Sequence, residues 1–370
     1  MKFVCTQEHI NKSIQVVNQV KSSGTMLPIL ENILIKVEKG MITLASTDLE
    51  IGISSIVRGK AENDGEFTVP ANLFSSYIGF LPNKQVEIEL IENSLKIKCD
   101  KSETKINGQD AAEFPVIPEV QKENKYTCKA KNLKTALKGA ASAISSSEIR
   151  VEISGVLFHF NFPQETKLTL VGTGSYRLAE RIIDVENYDN KNERKIIVPL
   201  KTIQSLINIL EGDSEVEIYV TENQVLFIYE ESEIVSRLVT GDYPDYKQII
   251  PKDVKTKIVC SADKLINAVK SAGLFSRAGI NDINLKFIVK ENKIIVSSVN
   301  DKVGESVSEI EGDISGEKNE ITFNHRYFLD GLQGITGGET HLSIIDSNTP
   351  GLIRPAEGSD QLYVVMPISD

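Results

Sequence analysis

Three times along the chain, a short run of apolar residues stops at Pro or Asn and gives way to apolar residues at helical spacing. The stretches are Glu66–Phe80 (EFTVPANLFSSYIGF), Lys195–Leu210 (KIIVPLKTIQSLINIL) and Glu320–Gln333 (EITFNHRYFLDGLQ). Each predicts a strand running into a helix, with Pro70 or Pro199 at or near the first helical position and Asn324 as an N-cap. In the first helix the apolar residues are Leu73, Tyr77 and Leu81. The copies lie roughly 125 residues apart, which is the mark of a threefold internal repeat.

The register extends both ways. Downstream of each helix come alternating runs that read as hairpins: Val86–Cys99, Val216–Tyr229 and Thr340–Pro355. Glu92-Asn93 and Glu222-Asn223 supply the first two turns. Upstream lie two or three alternating strands in each copy: Leu30–Val57, Ile153–Ile183 and Ile283–Ile310. Each copy opens with an amphipathic helix, Gln7–Lys21, Lys131–Ser145 and Ala262–Ser276. The chain is thus expected to be α+β, with three domains of similar fold: 1–122, 123–252 and 253–370. Their joints fall in Pro-, Lys- and Glu-rich stretches.

A chain of 370 residues, 41% hydrophobic, can bury a core in each of three such domains. No apolar run approaches a membrane span and MKFVCTQEHI has no signal-peptide core, so a cytoplasmic protein is expected. Cys5, Cys99, Cys128 and Cys260 are far apart in strand-like runs, as reduced core thiols would be.

Charge changes the picture. The net charge of −11 argues by itself against a nucleic-acid partner. Its distribution does not. The six expected helices carry Lys12, Lys21, Lys131, Lys134, Lys138, Lys201, Lys264, Lys270 and Arg326 against Glu8, Asp263 and Asp330, a surplus of +6 that leaves −17 elsewhere. In the second-domain helix, Leu133, Leu137 and Ile144 fall within about 40° of one another, with Lys131, Lys134 and Lys138 on the far side. Lysines that merely solvate exposed helix faces would give the same pattern. A basic helix surface on an acidic protein also suits a polyanion held through phosphate, without base readout.

Catalytic and metal motifs are not found. His9, His159, His325 and His341 are isolated, and the sequence has no GxSxG, P-loop or HExxH. Gly172–Ser175 is Gly-rich but lies between two strand-like runs, so it reads as a turn. Acids such as Asp48/Glu50 and Glu230/Glu231/Glu233 read as solvated charge; a repeated-sheet hydrolase would need a facing pair, and no spacing demands one. A binding or scaffold protein without metal or cofactor is expected.

The segments LPILENILI (27–35), TDLEIGI (47–53), FTVPANLF (67–74), AAEFP (111–115), GSYRLA (174–179), IIVPLKTI (196–203), YPDYKQIIP (243–251), FNHRYFLDGL (323–332) and YVVMPI (363–368), in this order, resemble the bacterial DNA polymerase III beta subunit family, the sliding clamps, along essentially the whole chain. The resemblance implies three clamp domains per chain and two chains closed head to tail into a six-domain ring. Helices would line the bore around duplex DNA, and sheets would form the rim. It implies a non-catalytic processivity factor with no cofactor. The implied partners are the replicative polymerase, an ATP-dependent clamp loader, repair polymerases, ligase and mismatch-repair proteins.

Partners in this family dock a short peptide with Leu and Phe anchors between the second and third domains. The matching positions here are Ile153, Thr173, Ser175, Tyr176, Arg177, Leu178, Pro244, Ile249, Asn324, Tyr327, Val364, Met366, Pro367 and Ile368. By position, Lys12, Lys131, Lys134, Lys138, Arg150, Lys201, Lys264 and Lys270 are expected to face DNA, and Ile106 with Leu274 and Phe275 to form the ring interface. The chain departs from the family pattern at Gly24, Glu152, Gly174, Tyr176 and Gln248, which bears on peptide preference and on DNA contacts.

Overall fold

The computed structural model describes residues 1–20, 27–145, 150–187, 192–334, 338–358 and 360–368. In chain order the first repeat contains β1 (Lys2–Thr6), α1 (Gln7–Val17), β2 (Asn32–Glu38), β3 (Met41–Thr47), β4 (Ile51–Val57), β5 (Gly59–Asn63), β6 (Gly65–Pro70), α2 (Ala71–Phe80), β7 (Gln85–Ile91), β8 (Ser94–Cys99) and β9 (Ser102–Asn107). The second contains β10 (Lys125–Lys129), α3 (Ala130–Ala141), β11 (Gly155–Phe160), β12 (Lys167–Thr173), β13 (Arg177–Asp184), β14 (Glu186–Asn187), β15 (Arg194–Pro199), α4 (Leu200–Ile209), β16 (Glu215–Val220), β17 (Gln224–Tyr229) and β18 (Ser232–Arg237). The third contains β19 (Thr256–Ser261), α5 (Ala262–Gly273), β20 (Asp282–Ile288), β21 (Lys293–Asn300), β22 (Gly304–Glu311), β23 (Asp313–Gly316), β24 (Asn319–Asn324), α6 (His325–Gln333), β25 (Glu339–Ile344), β26 (Gly351–Pro355) and β27 (Gln361–Val365).

The chain packs as two compact units: Met1–Lys131 with Glu186–Asn190 and Gln204–Leu238, and Asn132–Val185 with Lys191–Ile203 and Val239–Asp370. The first holds a five-stranded sheet, β5-β1-β7-β8-β9, and a nine-stranded sheet, β14-β10-β16-β17-β18-β4-β3-β2-β6. The second holds a nine-stranded sheet, β15-β11-β12-β13-β27-β26-β25-β19-β23, and a four-stranded one, β22-β21-β20-β24. The strand pairs named below are all antiparallel. In each nine-stranded sheet a four-stranded half of one repeat pairs with a five-stranded half of the next, through β4–β18 and β13–β27.

Helix starts follow local chemistry. The hydroxyl of Thr6 accepts a bond from the His9 amide, and Asn324 Oδ1 accepts from the Arg326 and Tyr327 amides. Pro70 and Pro199 end their strands one residue before the helix, instead of occupying its first position. The buried face of α2 is carried by Phe74 and Ile78, while Leu73 is 55% exposed. The buried stripe therefore runs one residue beyond the Leu73–Tyr77 stripe. The opening helices stop at Val17, Ala141 and Gly273, shorter than expected; Lys21 and Gly24 lie outside the described residues. Close helix–sheet approach depends on glycine at Gly172, where a Cβ would fall 1.9 Å from the Ala140 carbonyl oxygen of α3.

Candidate peptide pocket and nucleic-acid interface

The β13–β27 ladder sets Leu178 opposite Val364 and Arg177 opposite Val365. Beyond it the Met366 amide donates to the Tyr176 carbonyl (2.9 Å), and Ile368 donates to Thr322 (2.8 Å), so the C-terminal segment is fixed to both neighbouring strands. The Gly174–Tyr176 turn is closed by the Gly174 amide and the Thr173 hydroxyl, which both donate to the Arg177 carbonyl (2.9 and 3.0 Å). The Gly-rich stretch is thus a strand-to-strand turn.

Leu178 and Val364 are buried with Leu157, Val171, Leu352, Leu362 and Tyr246 in one apolar cluster, with Tyr243 packed against it. The Tyr243 hydroxyl donates to the Val171 carbonyl (3.2 Å), and the Tyr246 hydroxyl bonds Glu180. Burial, reinforced at Tyr246 by the Glu180 charge, holds both phenols well above their usual pKa, so they stay neutral donors. Pro244 and Ile249 lie exposed on the same linker, and Gln248 is held within it by Asp245 (2.9 Å). Ile153 is buried.

At the other end of the β27 segment is an aromatic and charged corner. The Arg177 guanidinium lies 4.5 Å above the Tyr327 ring and pairs with Asp330. Tyr176, 58% exposed, stacks on Tyr327 with centroids 6.2 Å apart and planes 15° apart. Burial raises the Asp330 carboxyl above its usual range despite the neighbouring guanidinium. The ladder and the Met366 bond thus bring Thr173, Tyr176, Arg177, Leu178, Val364 and Met366 together at one end of the β13–β27 pair: Leu178 and Val364 turn toward the Tyr243–Tyr246 side, and Arg177 toward Tyr327 of α6, the helix that Asn324 caps. Ser175 and Pro367 flank this end. Tyr243 and Tyr246 pack on the first side and Asp330 on the second; none of the three is among the expected site residues. The YPDY motif was a signal for the two tyrosines, whereas Asp330 had none beyond its place one helical turn after Tyr327.

The cations sit as helical periodicity requires. In α3, Leu133, Ala136, Leu137 and Ala140 are buried while Lys131 and Lys138 are exposed and Lys134 half-exposed. In α5, Leu265, Ala268, Val269 and Ala272 are buried while Lys264 and Lys270 are exposed. Lys201 is half-exposed at the start of α4, and Arg150 is exposed. Lys12 is exposed but held by Glu230 at 2.6 Å. Among the described residues, no group of three or more His, Cys, Asp or Glu side chains could hold a metal ion.

Family models for the DNA polymerase III beta subunit match in order and nearly end to end: the N-terminal domain over residues 1–118, the central domain over 127–245 and the C-terminal domain over 247–369. The chain belongs to the DNA polymerase III beta subunit family. It is 30% identical to the beta sliding clamp of Bacillus subtilis, over 100% of this chain and 99% of that protein. It is 28% identical to that of Halalkalibacterium halodurans with the same coverage. The crystal structure of the B. subtilis sliding clamp superposes with a TM-score of 0.92 at 29% identity, covering 100% of this chain and 99% of that one. A Pseudomonas aeruginosa DNA polymerase III subunit beta, solved bound to griselimycin, gives 0.93 at 27% with full coverage of both chains.

The expected interface residues lie on the edge strand β9 and just after α5. Ile106 is 3% exposed: alternation along β9 turns it inward with Thr104, so the strand presents Glu103 and Lys105 outward. Leu274, at the end of α5, is 79% exposed, and Phe275 is half-buried.

Proposed function

We propose that this protein is a non-catalytic sliding clamp: two chains close head to tail around duplex DNA, and the ring tethers the replicative polymerase to its template. The strand inventory carries the reading. Each joint between repeats is a nine-stranded sheet made from a four-stranded and a five-stranded half. A single chain leaves one half of each kind unmatched, ending in the free edges β9 and β22. A second copy placed head to tail matches both halves and covers these two edges. The lysines of α3, α4 and α5 supply a phosphate-binding surface without base readout, and holding by topology needs no high affinity, so the ring slides.

The surface of Leu178, Val364, Met366, Arg177 and Tyr327 is the docking site for short peptides of the polymerase and of the loader, repair polymerases, ligase and mismatch-repair proteins. The apolar cluster takes aliphatic and aromatic anchors, and Met366 adapts to several partners. The chain has no ATP motif of its own, so an ATP-driven loader opens the ring. Gel filtration on nicked circular plasmid with a loader and ATP tests this. Co-elution is expected on the circle and loss on linearisation; retention on the linear form would refute topological holding.

A further inference from the structure

We infer the register in which the second copy pairs, and with it an ion-paired seam that differs from the two seams inside the chain. The inference rests on the ring reading. In each repeat the four-stranded ladder can be followed outward residue by residue. Leu34, Leu157 and Asn284 are equivalent and face Ala45, Val171 and Ser297, which in turn face Ser54, Glu180 and Val307. The five-stranded halves give a second series. Phe3, Tyr126 and Ile258 lead through their ladders to Thr104, Ile234 and Tyr363. Within the chain, Ser54 pairs with Glu233 and Glu180 with Leu362, each one residue before the last series. The same relation sets Val307 of one copy opposite Glu103 of the other, Ser306 opposite Thr104, Glu305 opposite Lys105, and Glu309 opposite Lys101.

Charge selects the same register independently. It places Glu305 on Lys105 and Glu309 on Lys101, two opposite-charge pairs on the outer face. A slip of two residues one way sets Glu305 against Glu103, and the other way sets Glu309 against Glu103. Like charges directly opposite are disfavoured. A slip of one would set outward-facing residues of one strand beside inward-facing residues of the other, because each strand's facing is fixed by its own ladder. Lys105 and Glu305 are both exposed and stand outside the ion pairs that their own sheets form, in which Glu103 is held by Lys96 (2.8 Å) and Glu309 by Lys293 (3.4 Å).

The central pairs of the two internal seams, Gly52–Val235 and Leu178–Val364, are apolar. At the seam between chains that position holds Glu305 and Lys105. Burial of apolar surface is insensitive to salt, while exposed charge pairs are screened by it. The ring therefore opens first between chains, and more readily as ionic strength rises.

Crosslinking tests the register. The Ile56 amide donates to the Glu231 carbonyl, and Met366 to Tyr176, which makes Glu305–Lys105 a hydrogen-bonded pair and Ser306–Thr104 the narrow, non-hydrogen-bonded pair beside it. That spacing suits a disulfide. The native thiols are all buried, so background is low. Under mild oxidation, T104C/S306C in the full-length chain should give a dimer that survives SDS, and T104C/S308C should not. K105E should raise the dimer dissociation constant roughly tenfold, and K105E/E305K should restore it. A dimer that crosslinks better through S308C, or is not rescued by the double exchange, overturns the register and leaves the ring standing. Sedimentation as a monomer at all concentrations overturns both.

Discussion

Arg181 is a buried cation that carbonyl oxygens, instead of a carboxylate, hold in place, and its neighbour Gly139 makes it testable. The side chain is 2% exposed. Its guanidinium donates to the carbonyls of Glu180 (2.8 Å), Leu362 (3.0 Å) and Gly334 (2.8 Å), the last at the C-terminal end of α6. Burial pulls its pKa down to about 10, so the charge carries a desolvation cost. Three charge-assisted bonds at about 1.5–3 kcal/mol each outweigh that cost, and they tie β13 to β27 and to α6. A Cβ on Gly139 of α3 would lie 2.3 Å from Arg181 Nε. The guanidinium would have to leave at least part of its carbonyl cradle. Gly139→Ala should therefore destabilise by about 1–2 kcal/mol, even after the roughly 1 kcal/mol that Ala gains over Gly in a helix. In an Arg181→Ala background no atom stands at the Nε position, so the clash is gone, the helix gain remains, and the same substitution should become neutral or stabilising by up to about 1 kcal/mol. Urea unfolding of the four proteins of the cycle, followed by circular dichroism, measures the coupling. Equal effects of Gly139→Ala in both backgrounds would refute the claim that Arg181 is the group the glycine accommodates.

Further outcomes are expected. Arg177→Ala removes the cation over Tyr327 and leaves the half-buried Asp330 without its counter-charge; a fluorescent Leu/Phe-containing peptide should bind roughly tenfold more weakly by anisotropy. Lys138→Ala should flatten the salt dependence of DNA association by close to one unit of log–log slope for each phosphate the lysine neutralises. Lys12→Ala should change it less, because Glu230 already neutralises that ammonium. Gly52→Leu would drive a side chain into Ile117, whose Cγ2 lies 2.7 Å from the Cβ position; it should cost about 1–3 kcal/mol of stability in urea. Cys5, Cys128 and Cys260 are pushed up to about 12 by burial. A raised pKa keeps the folded thiols protonated while unfolded thiols ionise. Stability is thus full below roughly pH 8.5 and falls as pH rises toward the folded values. The same thiols should resist alkylation at pH 8 until denaturant is added.

The threefold plan was legible because period-2 and period-3.6 patterns recur in the same order, and Pro70, Pro199 and Asn324 punctuate them identically. The pairing between repeats was not legible. Ser232–Ser55 and Arg177–Val365 lie far apart in sequence, and nothing local in either strand names its partner. The same gap explains Ile106: position near an edge is readable from the chain, but the inward or outward phase of β9 is set by its ladder with β8, where Leu95 faces it. Leu73 fails for a related reason: Leu73–Tyr77 and Phe74–Ile78 are both apolar pairs at helical spacing, about 100° apart, and only tertiary packing decides which is buried. Most of the proposed peptide surface, Arg177 included, could be named from the resemblance. Its partner Asp330 could not, because the Arg177–Asp330 pair joins the start of β13 to α6 only in the folded chain.

In the proposed ring, the repeat also explains why one joint would open while the others hold. The two internal joints share one ladder geometry and the proposed joint between chains is built on the same one, so backbone hydrogen bonding cannot distinguish them. What differs is the side-chain set: Val235 over Gly52, Val364 over Leu178, and Lys105 against Glu305 in the proposed pairing. Each internal joint is also overlaid by its linker. Ile117 and Val120 pack with Tyr219, Leu226 and Val235 at the first, and Tyr243 and Tyr246 cover Leu178 and Val364 at the second. A joint between separate chains has no linker to supply such a cover. The apolar area that each linker buries stabilises an internal joint by an increment the intermolecular joint lacks. In the proposed ring a loader would therefore find its lowest barrier at β9–β22, without having to recognise that joint by any special structure.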